Sequence, residues 1–351
     1  MNADPIDTER KSEQTRTPRT RPTWPMLILG GTLAAASIYL VAVLGLTFYW
    51  CQQPATFEVA ATIPDRAFAA DGKPIPGSAL VSTTIRIGET LLDKPGGFLY
   101  NDIAPPGVWI DNCPSWECGV LMALRDTLRS LRNDFSRSQS QSLENDDVRR
   151  ADLQFAIDPK SWMFPTAEDE YRQGLDALKQ YRDTMAGKPG GGHFFARADN
   201  LADYLDVIEK RLGNQASRLS SSIANQALTA ALIPNLDGTL TTAAAPDTPT
   251  QTPWDQVDNV FYCTRGYSWA LLHVMQAIAI DFRDILEAKS AQSLVQQIIR
   301  DLQGAIQTMS SPIVLNGDGY GVFANHSLTI ASYISRVNAS VLDLKTLLQD
   351  G

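Results

Sequence analysis

The sequence predicts an all-α protein in which an N-terminal transmembrane helix precedes an exported, antiparallel multi-helix bundle. Three observations support this fold class. Residues 26–50 carry no charge, apolar residues beyond them recur at helical spacings of three and four, and no strand-like alternation extends over more than a few residues. With 351 residues and a hydrophobic composition of 44%, the chain can bury a sizeable core.

The uncharged run 26–50 predicts the transmembrane helix, because a helix needs roughly 20 apolar residues to cross a bilayer. Aromatic residues mark both of its ends, with Trp24 on one side and the triplet 48–50 on the other, as at membrane interfaces. A cleaved signal peptide has a shorter apolar core of about 7–15 residues. The bulky end of the triplet also precedes Cys51, where lipoprotein processing needs small residues. We therefore predict an uncleaved signal anchor.

The charges on either side of this run orient it. Five basic residues precede it (Arg10, Lys11, Arg16, Arg19 and Arg21), whereas "CQQPATFE" directly after it contains none. The positive-inside rule then places residues 1–25 in the cytoplasm and residues 51–351 on the other side. The tail 1–25 is polar and without an apolar pattern, so we expect it to be disordered.

The charge balance of the exported part excludes one class of partner. The chain has a net charge of −9, and setting aside the tail, with its five basic and four acidic residues, leaves −10. Nucleic-acid binding needs a basic surface, so we expect no nucleic-acid partner.

The exported part begins with a juxtamembrane linker, predicted over 51–78, and continues as one helical domain over 79–351. The first helix, about 79–92, has its apolar residues on one face. The second, about 114–137, alternates spacings of three and four, which is typical of a bundle seam. Pro114 suits the first turn of this second helix.

The next two helices are predicted at about 167–186 and about 199–226. The third follows "TAED", a capping-box pattern that begins at Thr166, and the fourth has leucines and isoleucines at helical spacing. Between 232 and 253 the sequence is rich in Thr, Ala and Pro and has almost no pattern, so we predict a flexible loop.

Three more helices complete a bundle of about seven, at about 255–287, 291–309 and 326–348. The apolar run 270–280 has eleven residues, which is too short to cross a bilayer, so the helix that contains it should be buried in the core. His273 lies in that run and is expected to be a hydrogen-bonded core histidine.

The stretch 93–119, "DKPGGFLYNDIAPPGVWIDNCPSWECG", is the candidate functional site. It mixes aromatic and carboxylate side chains with glycines and prolines, and such loops carry a disproportionate share of binding residues. A structural role, in which the prolines turn the chain and the tryptophans plug the end of the bundle, is the alternative and has the greater weight. The candidate binding residues are Glu89, Asp93, Tyr100, Asp102, Trp109, Asp111, Trp116 and Glu117.

The cysteines and histidines favour no catalytic or metal site. Cys113 and Cys118 are close in sequence, so a disulfide between them is an open alternative in an oxidising compartment. Their spacing is not the C-x-x-C of thioredoxin-like redox motifs. None of the three histidines has the spacing that places two imidazoles on one metal, so we expect neither a metal nor a cofactor.

Several segments resemble a known family: "GETLLDKPGGFLYNDIAPPGVWIDN", "RNDFSRSQSQS" and "ARADNL". They are similar to proteobacterial single-pass membrane proteins that are catalogued as a domain of unknown function, and the resemblance runs from the anchor to the C-terminus. It implies a Gram-negative inner-membrane protein with a periplasmic domain. It supplies no activity, catalytic residue or cofactor.

Two functional hypotheses stay open. The first is a non-enzymatic scaffold that binds a protein partner in the cell envelope, with the membrane contacted by the anchor. The second is a peptidoglycan-binding or glycan-processing protein that uses the aromatic and carboxylate side chains of 89–119 on cell-wall glycan. Small residues in the anchor, at 30–31 and 34–35, also leave a homo-oligomer open.

Overall fold

A computed structural model describes residues 24–69, 71–138, 143–185, 192–223, 252–311, 313–317 and 322–349. The chain divides into two compact units between Gly45 and Leu46. The predicted cytoplasmic tail lies outside the described residues except for its last two positions. The predicted loop 232–253 likewise lies outside them except for residues 252 and 253.

The first unit contains most of helix α1, Trp24–Trp50. Its segment Ile28–Trp50 has a mean hydropathy of 2.0, and only 6% of its most apolar window is buried. Among the described residues, this is the one helix that is long and apolar enough to cross a membrane.

The second unit is all-α, as predicted, and the described residues contain no β-strand. Its helices are α2 Ser78–Asp93, α3 Asn112–Ser130, α4 Asp146–Phe155, α5 Ala167–Met185, α6 Ala198–Ser221, α7 Val257–Asp281, α8 Arg283–Ala288, α9 Gln292–Ala305 and α10 His326–Gln349. The seven predicted helices correspond to α2, α3, α5, α6, α7 with α8, α9 and α10. Helix α4 was not predicted.

Helix α7 is the centre of the bundle. It packs along α3 and also contacts α2 and α9, while α4 packs on α5 and α6 packs on α10. Most of α7 is buried, including Leu271, Leu272 and Met275 of the apolar run that predicted a core helix.

Two glycines let α3 and α7 approach to backbone contact. A Cβ atom on Gly119 of α3 would lie 1.9 Å from the Cys263 carbonyl oxygen of α7. In return, a Cβ atom on Gly266 of α7 would lie 1.9 Å from the Trp116 carbonyl oxygen of α3. Any side chain at either position would therefore force the two backbones apart.

Side chains cap the starts of two helices, and a π-helical turn ends a third. The Asp281 carboxylate at the end of α7 accepts the Ala79 and Leu80 N–H groups at 3.3 and 2.7 Å, which caps the N-terminus of α2. Thr166 accepts the Asp169 N–H at 3.2 Å, which is the threonine half of the predicted capping box. Helix α3 ends in a π-helical turn, Leu131–Phe135, that buries Phe135.

The segment 51–78, predicted as a juxtamembrane linker, belongs to the second unit and packs on its core. The Phe57 N–H donates to His273 Nε2 at 3.1 Å, and the two rings stack with centroids 3.9 Å apart. Because Nε2 accepts, the neutral imidazole donates from Nδ1 to the Trp269 carbonyl oxygen, 2.7 Å away. Burial lowers the pKa of His273 to about 4. His273 is therefore the hydrogen-bonded core histidine that we predicted.

Candidate functional site

The stretch 93–119 begins with a turn that glycine makes feasible. Helix α2 ends at Asp93, and Gly96 and Gly97 then adopt positive φ angles of 86° and 71°. A Cβ atom on Gly96 would also lie 2.7 Å from Cγ of Trp50, so this glycine leaves space for the last side chain of α1. The turn therefore lies where the chain leaves the apolar helix.

A buried ion pair closes this turn. Lys94 Nζ lies 2.6 Å from Glu117 Oε1, and the two side chains are 3% and 0% exposed. Lys94 also donates to the Gly97 carbonyl oxygen at 2.5 Å, and the Leu99 N–H donates to both Glu117 oxygens at 2.9 and 3.0 Å. The pair thus fastens the loop 94–99 to the first turns of α3.

Burial determines the protonation chemistry of Glu117. Desolvation raises the pKa of its carboxyl from 4.5 to about 7, while Lys94 and the Leu99 N–H oppose this shift. Sequence patterns did not identify Lys94 as the partner of Glu117. Lysine is almost never fully buried unless it is paired, so no local pattern predicts its burial. Its pairing across 23 positions follows only from the tertiary fold.

Two other predicted carboxylates form ion pairs between α2 and α5. Glu89 Oε1 lies 2.9 Å from Lys179 Nζ, and Asp93 Oδ1 lies 2.8 Å from Arg172 Nη2. Both pairs are partly exposed to solvent. Each of the three carboxylates Glu89, Asp93 and Glu117 therefore has a cationic partner.

Asp102 and Tyr100 lie in the loop that follows Leu99. Partial burial raises the pKa of Asp102, and the nearby Glu168 carboxylate raises it further. Burial also raises the pKa of Tyr100. Between them, Asn101 was missed by the sequence patterns although it joins two loops: its Nδ2 donates to the Ser161 carbonyl oxygen at 2.9 Å and to Glu168 at 2.8 Å.

The two tryptophans of the stretch have opposite environments. Trp116 is 3% exposed and packs against Trp269 of α7 with ring centroids 5.3 Å apart, so it belongs to the core. Trp109 is 65% exposed. Asp111 is exposed at the start of α3 and lines a cavity of about 870 Å³ together with Trp254 and Asp258. The predicted set of binding residues therefore divides into a packed group and an accessible group.

The structure corrects the cysteine pairing. Cys113 forms a disulfide with Cys51, and their Cα atoms lie 5.4 Å apart, whereas Cys118 is not bonded to Cys113. The alternative that we left open, a bridge between Cys113 and Cys118, is not formed, and both residues lie in α3. Five positions along a helix turn the two side chains to different faces. Cys51 directly follows α1, so the bridge joins the exit of the apolar helix to the start of α3.

The remaining cysteines, Cys118 of α3 and Cys263 of α7, interact beside the glycine crossing. A hydrogen bond with Cys263 lowers the pKa of Cys118 to about 7, and the same interaction together with burial raises the pKa of Cys263. Cys263 is buried and Cys118 is half-buried. In the part of the chain that the structure describes, no group of three or more His, Cys, Asp or Glu side chains could hold a metal ion.

A second cavity, of about 470 Å³, adjoins a buried cation that the sequence patterns did not identify. Arg265 of α7 is 5% exposed and donates to the carbonyl oxygens of Ile306 and Gln307, at the C-terminal end of α9. It also donates to Gln53 Oε1 at 2.9 Å. Arg265 therefore ties the end of α9 to the segment that follows Cys51.

Comparison with known proteins gives one match. Residues 24–351 match the family described as "Uncharacterized protein conserved in bacteria (DUF2333)". Neither a curated protein nor a solved structure matches the chain significantly. The match begins with the first residue of α1 and covers all of the bundle, in agreement with the resemblance found in the sequence segments. The chain therefore belongs to this bacterial family.

Proposed function

We propose that this protein is a non-enzymatic scaffold of the bacterial cell envelope, anchored in the inner membrane by α1, whose periplasmic helical domain binds partner proteins. The length and apolar composition of α1 support the anchor. The basic residues before α1 support a cytoplasmic N-terminus.

The observation that carries this proposal is the attachment of the second unit to the end of α1. Trp50 is the last residue of the helix, and the next residue, Cys51, is bonded to Cys113 of α3. A disulfide at this position suits an oxidising compartment such as the periplasm. It also holds the domain beside the point where the chain leaves the helix, as a scaffold at a membrane surface requires.

The glycan alternative receives less support from the geometry. Acid–base cleavage of a glycosidic bond needs two carboxyl groups flanking the substrate. Glu117 is fully buried and paired with Lys94, and Glu89 is paired with Lys179. The carboxylates that stay accessible, Asp102 and Asp111, lie beside the exposed Trp109, which suits contact with a ligand or a surface.

The experiment is affinity purification of the full-length chain from native membranes in a mild detergent, with mass spectrometry of the proteins that accompany it. The matched control is α1 alone, residues 1–50 carrying the same tag. A stoichiometric partner held by the full chain and absent from the control supports a scaffold that acts through its periplasmic domain. Recovery of the full chain without a stoichiometric partner would refute the scaffold.

The anchor and its topology have their own test. The N-terminal sequence of the purified protein distinguishes an intact anchor from a cleaved signal sequence, because cleavage removes residues 1–23 and part of α1. Alkaline phosphatase fused after residue 351 should be active if the domain is periplasmic. A processed N-terminus or an inactive fusion would contradict the proposed localisation.

A further inference from the structure

Large exposed apolar side chains of the second unit are concentrated in loops. Loop 103–109 exposes Ile103, Val108 and Trp109, and loop 161–165 exposes Trp162, Met163 and Phe164, the last being 97% exposed. Soluble proteins rarely expose several such side chains on neighbouring loops unless the surface contacts something.

Both loops lie close to the exit of α1. Loop 103–109 is flanked by Leu99 and Ile110, which pack in one apolar cluster with Cys113 and with Trp50 and Cys51. Loop 161–165 is held to the same region because Asn101 donates to the Ser161 carbonyl oxygen.

Two further exposed pairs reach the same end of the bundle. Trp254 and Ile313 line the larger cavity beside Asp111, two positions before the bridged Cys113. Val322 and Phe323 line the smaller cavity beside Arg265. Because Arg265 binds Gln53, this cavity borders the side chain that holds the segment after α1.

We propose that these four groups, which we call the apolar rim, insert into the interface of the bilayer that holds α1. The apolar rim comprises the exposed side chains of loops 103–109 and 161–165 and the pairs Trp254/Ile313 and Val322/Phe323. This inference rests on the proposed membrane anchor. It adds a lipid surface as a second ligand, contacted by the folded domain itself.

Continuity with the predicted span favours lipid over a protein partner. Trp50 is the last residue of α1, and the next residue, Cys51, forms the bridge to Cys113, four positions after loop 103–109. A loop held there lies at the depth where tryptophan and other aromatic side chains are enriched in membrane proteins. On this proposal the apolar rim meets the bilayer where the chain leaves α1.

The charges among the apolar rim determine what kind of lipid contact it makes. Asp102, Asp111, Asp255 and Asp258 lie in or beside its loops and outweigh the exposed Lys160 beside loop 161–165, so their negative charge gives no net attraction to anionic headgroups. The contact is accordingly made by burial of apolar area, which salt does not screen.

The test uses the full-length protein in a Cys118→Ser background, reconstituted into phosphatidylcholine vesicles. The variants Trp109→Cys and Phe164→Cys are each labelled at the new thiol with the environment-sensitive dye NBD. Lipids that carry doxyl groups quench the dye where it contacts the bilayer. The matched control is Leu342→Cys on α10, an exposed apolar position on a helix that packs on α6 and α9. We expect blue-shifted, at least twofold quenched emission at 109 and 164 and neither effect at 342.

Each outcome decides the proposal. Quenching at 109 and 164 that persists in about 1 M NaCl, where charges are screened within about 3 Å, supports apolar insertion. Quenching at 109 and 164 that is no greater than at 342 overturns it. Quenching that requires anionic lipid or low salt also overturns it, and so does a blue shift of the NBD emission that appears only when a partner protein is added. Failure of the protein to float with the vesicles overturns the anchor as well, whereas floating protein with unquenched labels overturns the apolar rim alone.

Discussion

Replacement of Lys94 with Met should destabilise the folded domain by about 3–5 kcal/mol at about pH 8. The change leaves the fully buried Glu117 carboxylate without the cation that lies 2.6 Å from it. Removing one partner of a buried pair has this cost because the remaining charge stays desolvated. The loop 94–99 also loses the Lys94 hydrogen bond to the Gly97 carbonyl oxygen.

The penalty should depend on pH. Burial raises the folded-state pKa of Glu117 from 4.5 to about 7, so the stability that protonated Glu117 contributes is fully present below about pH 4.5. It is lost as the pH rises through about 7. Without Lys94 the folded-state pKa of Glu117 rises further, so the variant loses more stability than the wild type as the pH rises above about 7. Lys94→Met should therefore cost about 1.4 kcal/mol more at about pH 8 than at about pH 5, because only the unit of pH above the wild-type pKa of about 7 separates the two proteins.

The assay is urea unfolding of the full-length protein in detergent micelles, followed by near-ultraviolet circular dichroism at both pH values. Lys179→Met is the matched control, because it removes the same side chain from a partly exposed pair with Glu89 and should cost less than about 1 kcal/mol. Adding Glu117→Gln to Lys94→Met should recover most of the loss, since the amide oxygen still accepts the Leu99 N–H. Equal stability of the two lysine variants at about pH 8, or no recovery in the double variant, would refute the reasoning.

Three further predictions concern the bridge, the helix crossing and the cap of α2. The double variant Cys51→Ser/Cys113→Ser should lose up to about 4 kcal/mol of unfolding free energy, because the bridge spans 62 positions. Reductant should lower the melting temperature of the wild type but not that of this variant. A variant that melts like the oxidised wild type contradicts the prediction. Gly119→Ala should destabilise the fold by about 3 kcal/mol or more, measured by thermal melting. Gly213 of α6 has open space around it, so Gly213→Ala should stabilise the fold by about 0.5–1 kcal/mol. Equal melting temperatures of the two variants would show that α3 and α7 can move apart without cost. Asp281→Ala should cost about 1–2 kcal/mol and speed amide exchange at the start of α2, and unchanged exchange there would exclude the cap.

The helical architecture was predictable because amphipathic seams are local patterns. The buried side chains of α7 and the Thr166 cap of α5 follow from spacing and from one residue type at one position. Helix α4 was missed although Asn145 accepts two N–H groups at its start and Val148, Ala151 and Phe155 are buried. With ten residues, its apolar face is too short to stand out from its charged surroundings.

The chemistry of the stretch 93–119 was less predictable, because it depends on contacts between distant residues. Nothing local shows that Glu117 pairs with Lys94 or that Trp116 is buried while Trp109 is exposed. Proximity in sequence favoured a bridge from Cys113 to Cys118, but the helical geometry of α3 separates their side chains and the fold brings Cys51 to Cys113 instead.

The Cys51–Cys113 bridge also determines where mechanical force would enter the domain. A pull on Trp50 is carried covalently to the start of α3, whose backbone contacts α7 closely at Gly119 and Gly266, so the load passes directly into the two central helices. With the bridge reduced, the same pull would instead peel the segment 52–77 from the core one contact at a time, beginning with the Gln53 bond to Arg265 and the Phe57 stack on His273. Oxidation would thus keep the load off the segment 52–77, and the rupture force should rise accordingly.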